Sequence, residues 1–139
     1  MFKNILICVD GSDSSLRAAE VGCEIAASMG NAVTVVYAAY IPAMYMDDLN
    51  AELQESIRED GKRILDETVH ACEAKTGGIE KKLLYNEKAE EGILRLLEEG
   101  TYDLVILGSN GRDATARKVM GSTSSRVLEG SAVPVLIVP

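Results

Sequence analysis

The run Ile5-Leu6-Ile7-Cys8-Val9, followed at once by Asp10-Gly11-Ser12-Asp13, sets the reading of the whole chain. Five apolar residues without polar alternation are expected of a strand covered on both faces, the environment of a parallel sheet. The four residues after it form a turn rich in side chains that cap helices. Leu16, Ala19, Cys23 and Ala26 then recur at helical spacing and predict the buried face of a helix that Gly30 stops. Strand, cap and helix together open a βα unit, and the same order repeats downstream.

Val33–Ala38 is a second β-rich run, and Tyr40 to Met46, with Pro42, reads as irregular. Asp47 and Asp48 place negative charge in the first turn of a long helix, where the macrodipole favours it. Leu49, Leu53, Ile57, Ile64, Thr68 and Ala71 mark its expected buried face, and Gly77-Gly78 ends it. Gly61 interrupts this helix, either for close packing or as a tolerated weak point costing about 1 kcal/mol relative to Ala. Ile79–Tyr85 is a third strand whose Lys81 and Lys82 suit an edge. Ala89, Ile93, Leu96 and Leu97 line a third helix closed by Gly100. Leu104–Leu107 is a fully apolar fourth strand, a short helix ends near Gly130, and Val135–Val138 follows Pro134 as the last strand.

Residues 1–139 therefore predict a single three-layer α/β domain with helices on both faces of a five-stranded parallel sheet. The most apolar strands, the first and fourth, belong in the centre; the lysine-bearing third and the proline-led fifth belong at the edges. The order 3-2-1-4-5 satisfies both demands. It creates a switch point between strands 1 and 4, and ligands of open α/β sheets bind at such a crevice, beyond the carboxyl ends of the strands. Asp10–Asp13 and the loop from Gly108 are expected to meet there.

Composition narrows the function. The 139 residues carry 14 Lys and Arg against 22 Asp and Glu, a net charge of −8. An acidic chain repels nucleic acid and anionic membranes, so neither is an expected partner. No apolar run approaches the ~18 residues of a membrane span. The apolar stretch near the N-terminus is too short for a secretory signal, which makes the cytoplasm the expected location. The three cysteines, Cys8, Cys23 and Cys72, form no C-x-x-C pair; Cys8 and Cys23 fall on apolar positions and read as core. His70 is the only histidine and cannot make a triad or a metal site by itself. Against this acidic background, residues 108–126 carry Arg112, Arg117, Lys118 and Arg126 with only Asp113 opposing them, a local +3 that leaves −11 for the rest.

That positive stretch coincides with Gly108-Ser109-Asn110-Gly111, nine further residues, and Gly121-Ser122-Thr123-Ser124. Neither a Walker A loop nor a G-x-G-x-x-G fingerprint occurs in the chain. The physics is related. Gly108 and Gly111 allow backbone amides to approach an anion without Cβ obstruction. Gly121-Ser122 opens the last helix, whose first amides lack intrahelical partners and whose dipole end is positive. Ser122, Thr123 and Ser124 add three hydroxyls. Two anion cradles at one switch point predict a polyphosphate ligand. Asp10 has two readings here: its carboxylate shapes the turn into the first helix, or it holds a phosphate-bridging Mg²⁺.

The spacing Gly108-x2-Gly111-x9-Gly121-Ser122 resembles the G-x2-G-x9-G-[S/T] signature of the nucleotide-binding members of the universal stress protein family. The opening Ile5–Ser12, the strand Asp103–Gly108 and the ending Val133–Val138 are similar to that family as well, so the resemblance spans the chain. It implies a Rossmann-like, cytoplasmic, ATP-binding and usually dimeric domain linked to stress or energy status. Carried over by position, Asp10 would lie by the ribose beside Cys8 and Val9, and the backbone near Ala38 would meet the adenine edge. Gly108, Ser109, Asn110, Gly111 and Arg112 would meet the phosphates from one side, and Gly121, Ser122, Thr123 and Ser124 from the other. The sequence departs from the family at Asn110, where many members carry a larger basic or histidine side chain, and at Thr123, where a branched apolar residue is common. Met44 and Met46 are placed to cover the adenine or to act as filler.

Hydrolysis of ATP needs a positioned water and stabilisation of charge on the γ-phosphate. Arg112, Arg117 and Lys118 can supply the second but no residue is placed for the first. The expectation is an ATP-binding sensor or regulatory module with at most slow hydrolysis. The alternative is a homodimeric protein-interaction scaffold of the same fold that binds no nucleotide. A phospho-receiver is disfavoured, because Tyr85-Asn86 stands where the acceptor aspartate would follow the third strand. The fifth strand has no charge from Ala132 to Val138, and such an open edge predicts an antiparallel homodimer through Val133, Val135 and Ile137. Pro134, lacking an amide hydrogen, sets the pairing beyond itself.

Overall fold

The computed structural model describes residues 2–41, 51–110 and 120–139. The elements are β1 (Asn4–Cys8), α1 (Asp13–Met29), β2 (Ala32–Ala39), α2 (Ala51–Glu73), β3 (Ile79–Tyr85), α3 (Ala89–Glu98), β4 (Leu104–Gly108), α4 (Ser122–Gly130) and β5 (Val135–Val138). The strands form one sheet in the order β3-β2-β1-β4-β5. Every neighbouring pair is parallel, with Ile7 opposite Val35 on one side and Ile106 on the other. The fold class and strand order are those read from the hydrophobic pattern. Asp47, Asp48 and Leu49 of the expected helix start, together with Met44, Met46, Gly111, Arg112, Arg117 and Lys118, lie outside the described residues.

Alternation along β1 divides the core. Ile5 and Ile7 pack with α1 and α2 on one face, while Leu6 and Cys8 pack with α3 and α4 on the other. All four side chains are buried, as a central strand with two covered faces requires.

Two helix faces differ from expectation in an instructive way. Leu16 is 43% exposed, and α1 instead buries Ser14, Ser15, Ala18, Ala19, Gly22, Cys23 and Ala26. The helix lies so close to the sheet that a Cβ on Gly22 would sit 2.6 Å from Ile7 Cδ1. Small residues win that face because the approach distance, not hydrophobicity, selects them. On α2 the buried stripe is Gly61, Ile64, Leu65, Thr68, Val69 and Cys72, while Leu53 and Ala71 are exposed. Gly61 serves close packing: a Cβ there would meet Leu83 Cδ1 at 2.8 Å and Tyr37 Cδ1 at 2.9 Å. Gly30 caps α1 in the left-handed conformation with φ 69°. Lys81 on the β3 edge pairs with Asp66 at 2.7 Å. Cys8, Cys23 and Cys72 are all buried free thiols.

Candidate functional site

The carboxyl ends of β1 and β4 lie side by side, with Cys8 opposite Leu107. Beyond them the chain turns twice, and each turn is fixed by its own polar groups. After β1, the Val9 amide donates to the Val36 carbonyl at 3.0 Å. Gly11 takes φ 85°, a conformation that suits glycine. The Ser12 amide donates to Asp10 Oδ1 at 2.9 Å, so Asp10 does shape the turn. Ser12 Oγ caps α1 by accepting from the Ser15 amide at 3.2 Å.

The loop after β4 is held from three sides. Ser124 Oγ donates to the Gly108 carbonyl at 2.6 Å. The Gly121 amide donates to the Ser109 carbonyl at 2.6 Å, and the Ser109 amide donates to the Val138 carbonyl at 2.8 Å. Ser14 Oγ donates to the Asn110 carbonyl at 2.6 Å. The missing Cβ of Gly108 has a specific use. A side chain there would lie 2.4 Å from Ser14 Oγ and 2.6 Å from the Ser14 carbonyl carbon. Gly108 therefore lets the first turn of α1 dock on the end of β4, a role that glycine as an anion contact does not require.

Between the two turns is a cavity of about 490 Å³, within the range usual for small-molecule sites. Its floor is apolar: Cys8, Val36, Ala38, Leu107 and, from the start of α3, Ala89 and Ile93. Its rim is polar: Asp10, Ser15, Asn110 and the segment Gly121–Ser124. Of the residues expected from sequence, Cys8, Val9, Asp10, Ala38, Gly108, Asn110, Gly121, Ser122, Thr123 and Ser124 line this space together. Ser109 does not line it, its amide and carbonyl both being committed to the fold. Gly111 and Arg112 are outside the described residues. Ser15, Val36, Tyr37, Ala89, Ile93 and Leu107 are additions. The spacing of Ala89 and Ile93 announces a core face, but only the packing of α3 shows that its first turn reaches the mouth.

The electrostatics favour an anion at one end of the cavity. Gly121 is extended, with φ −67° and ψ 164°, and has no side-chain cap. The first intrahelical bond runs from the Ser125 amide to the Gly121 carbonyl at 3.0 Å. The amides of Ser122, Thr123 and Ser124 thus precede the helical ladder, at the positive end of the dipole. No acidic residue stands in that first turn. Arg126 is engaged elsewhere, with Glu90 at 2.6 Å, which removes one cation from the local positive stretch. Burial pushes the Cys8 thiol up, so it stays neutral and is no nucleophile. No group of three His, Cys, Asp or Glu residues suited to a metal occurs among the described residues. No helix of the described residues is long and apolar enough to cross a membrane.

A family model described as "Universal stress protein family" matches residues 1–139. The chain belongs to the universal stress protein family. A universal stress protein of Thermus aquaticus is 33% identical over 142 residues, covering 99% of this chain and 99% of that protein. Among solved structures, the universal stress protein UspA from Lactobacillus plantarum superposes with a TM-score of 0.85 at 22% identity, over 99% of this chain and 97% of that one. A universal stress protein crystallised in complex with cAMP superposes with a TM-score of 0.77 at 25% identity, again over 99% and 97%. The universal stress protein fold and this chain's three layers thus coincide end to end.

Proposed function

We propose that this universal stress protein binds an adenine nucleotide, ATP first among them, at the switch point, and acts as a sensor or regulatory module in the response to stress or energy status. One observation carries the reading: a single cavity joins an apolar floor at Cys8, Val36 and Ala38 to the open amides of α4. A base needs the first and phosphates need the second. The cAMP complex of a solved family member lends support.

In this reading the adenine lies over the floor, with the backbone near Ala38 along its edge. Asp10 contacts the ribose beside Cys8 and Val9. Asn110, Gly111 and Arg112 meet the phosphates from one side, and Gly121, Ser122 and Thr123 from the other. Gly108 and Ser109 shape the loop. Mg²⁺ typically takes one or two carboxylates plus phosphate oxygens. Asp10 is the one carboxylate among the described lining residues, and the ion suits the site when a nucleotide supplies the rest. No histidine lines the cavity, and Asp10 Oδ1 is occupied by the Ser12 amide. Turnover is therefore expected far below the roughly 1–10³ s⁻¹ of working enzymes.

Calorimetric titration with ATP tests the proposal, with Gly121→Val as its partner experiment. Binding by the native chain and loss in the variant, at unchanged melting temperature, supports it. Equal binding by both, or no binding by either, refutes it, and the second result favours a scaffold that works without nucleotide. Ser122→Ala should cost less, about 1 kcal/mol, because the backbone donors remain. The proposal extends to a cytoplasmic homodimer paired through β5, around Val133, Val135 and Ile137. The half-burial of Val135 and Ile137 on an edge strand motivates the dimer, and a monomer mass in sedimentation at micromolar concentration would reject it.

A further inference from the structure

Three consecutive carbonyls, those of Gly108, Ser109 and Asn110, run from the end of β4 into the loop after it, and the first and third of these residues line the cavity. A free carbonyl oxygen beside a phosphate repels it. Here each one is tied to a donor: Ser124 Oγ, the Gly121 amide and Ser14 Oγ, all at 2.6 Å. Two of these donors belong to the glycine-rich motif. The third does not. Ser14 is on α1, 96 residues from its partner, and does not line the cavity.

Its position is tightly determined. Ser14 is only 4% exposed, and its Oγ fills space that a Cβ on residue 108 would take. The same oxygen accepts from the Asn110 amide at 3.3 Å while donating to the Asn110 carbonyl. One hydroxyl thus closes on both polar backbone groups of Asn110, the residue before Gly111 of the motif. Ser12 Oγ reaches the same carbonyl only at 3.3 Å. Resting on the nucleotide-binding reading above, we infer that Ser14 is a positioning residue for the phosphate grip. It holds both the amide and the carbonyl of Asn110 on the first turn of α1, so that this carbonyl does not oppose a phosphate at the mouth. Ser14 touches no nucleotide and acts only through Asn110.

A positioning role makes the effect depend on phosphate. The test is titration of the native chain, Ser14→Ala and Ser124→Ala with ATP and with adenosine. Binding is followed by NMR shift changes, so that millimolar affinities are measurable. Ser14→Ala should bind ATP about tenfold more weakly, the scale of one hydrogen bond near a charged ligand. Adenosine affinity should hold within about twofold, on the same scale. Ser124→Ala, which frees the Gly108 carbonyl instead, should follow the same pattern and serves as the independent variant. Unchanged ATP binding in Ser14→Ala overturns the inference while leaving the nucleotide site standing. Equal loss of ATP and adenosine overturns it too, since that marks general damage to the cavity. Failure of the native chain to bind ATP removes the nucleotide reading itself.

Discussion

Gly108→Ala separates the two uses a glycine can have at this mouth. If Gly108 serves only the approach of an anion, a methyl group is harmless until ligand is added. The structure places a stronger constraint on it. The new Cβ would lie 2.4 Å from Ser14 Oγ, 2.6 Å from the Ser14 carbonyl carbon and 2.7 Å from the Ser15 amide nitrogen. Two of these atoms are backbone in the first turn of α1 and cannot swing aside, so the turn itself has to lift off β4. Overpacking of this kind costs about 1–3 kcal/mol. Lifting the turn also stretches the 2.6 Å bond from Ser14 Oγ to the Asn110 carbonyl, worth about 1 kcal/mol. The sum is a loss of about 2–4 kcal/mol, which for a domain of this size lowers the melting temperature by about 10 °C. Circular dichroism melting of the ligand-free protein reads it directly. Gly77→Ala is the control: no atom lies within 4 Å of a Cβ there, and Ala at such a site stabilises by about 0.4–1 kcal/mol. If Gly108→Ala melts within a degree or two of the native chain, the docking role of Gly108 is wrong.

Two further outcomes follow from the core. Gly61→Val should lower the urea-unfolding free energy by about 1–3 kcal/mol, because its Cβ meets Leu83 and Tyr37 at under 3 Å; an unchanged midpoint would mean α2 has room to move outward. Burial raises the Cys8 thiol above its unfolded value, so its contribution is complete below the unfolded pKa of about 8.5 and is lost as pH rises beyond it. Urea unfolding from pH 7 to 10 should show stability falling, with Cys8→Ala removing one proton's share of the slope, about 1.4 kcal/mol per pH unit; an identical slope in the variant would show that Cys8 ionises freely.

The alternation of four helices and five strands among the described residues is readable because each signal is local. Ile5–Val9 needs only its own apolar run to read as a doubly covered strand. Lys81 and Pro134 mark edges by chemistry that a central strand forbids. Ten of the thirteen expected site residues line the cavity for the same reason, since turns after β1 and β4 must fall at one end of a parallel sheet. Leu53 keeps the spacing of the buried stripe but stands before Gly61, where the burial of α2 begins, whereas Leu16 and Ala71 miss because helical spacing fixes a face only to within a residue or so. The separation between helix and sheet then decides which neighbour turns inward.

The sequence by itself determined the layers, the strand order, the switch point and the spacing of glycines on which the resemblance to the family rests. Tertiary structure alone decided how the polar groups are spent. Ser124 and Gly121 brace the loop, Arg126 leaves for Glu90, and Gly108 makes room for Ser14. Elements are specified by neighbours a few residues apart, whereas these bonds join groups as far as 96 residues apart. Their pairing appears only once two surfaces have packed and each buried donor must find an acceptor within about 3 Å.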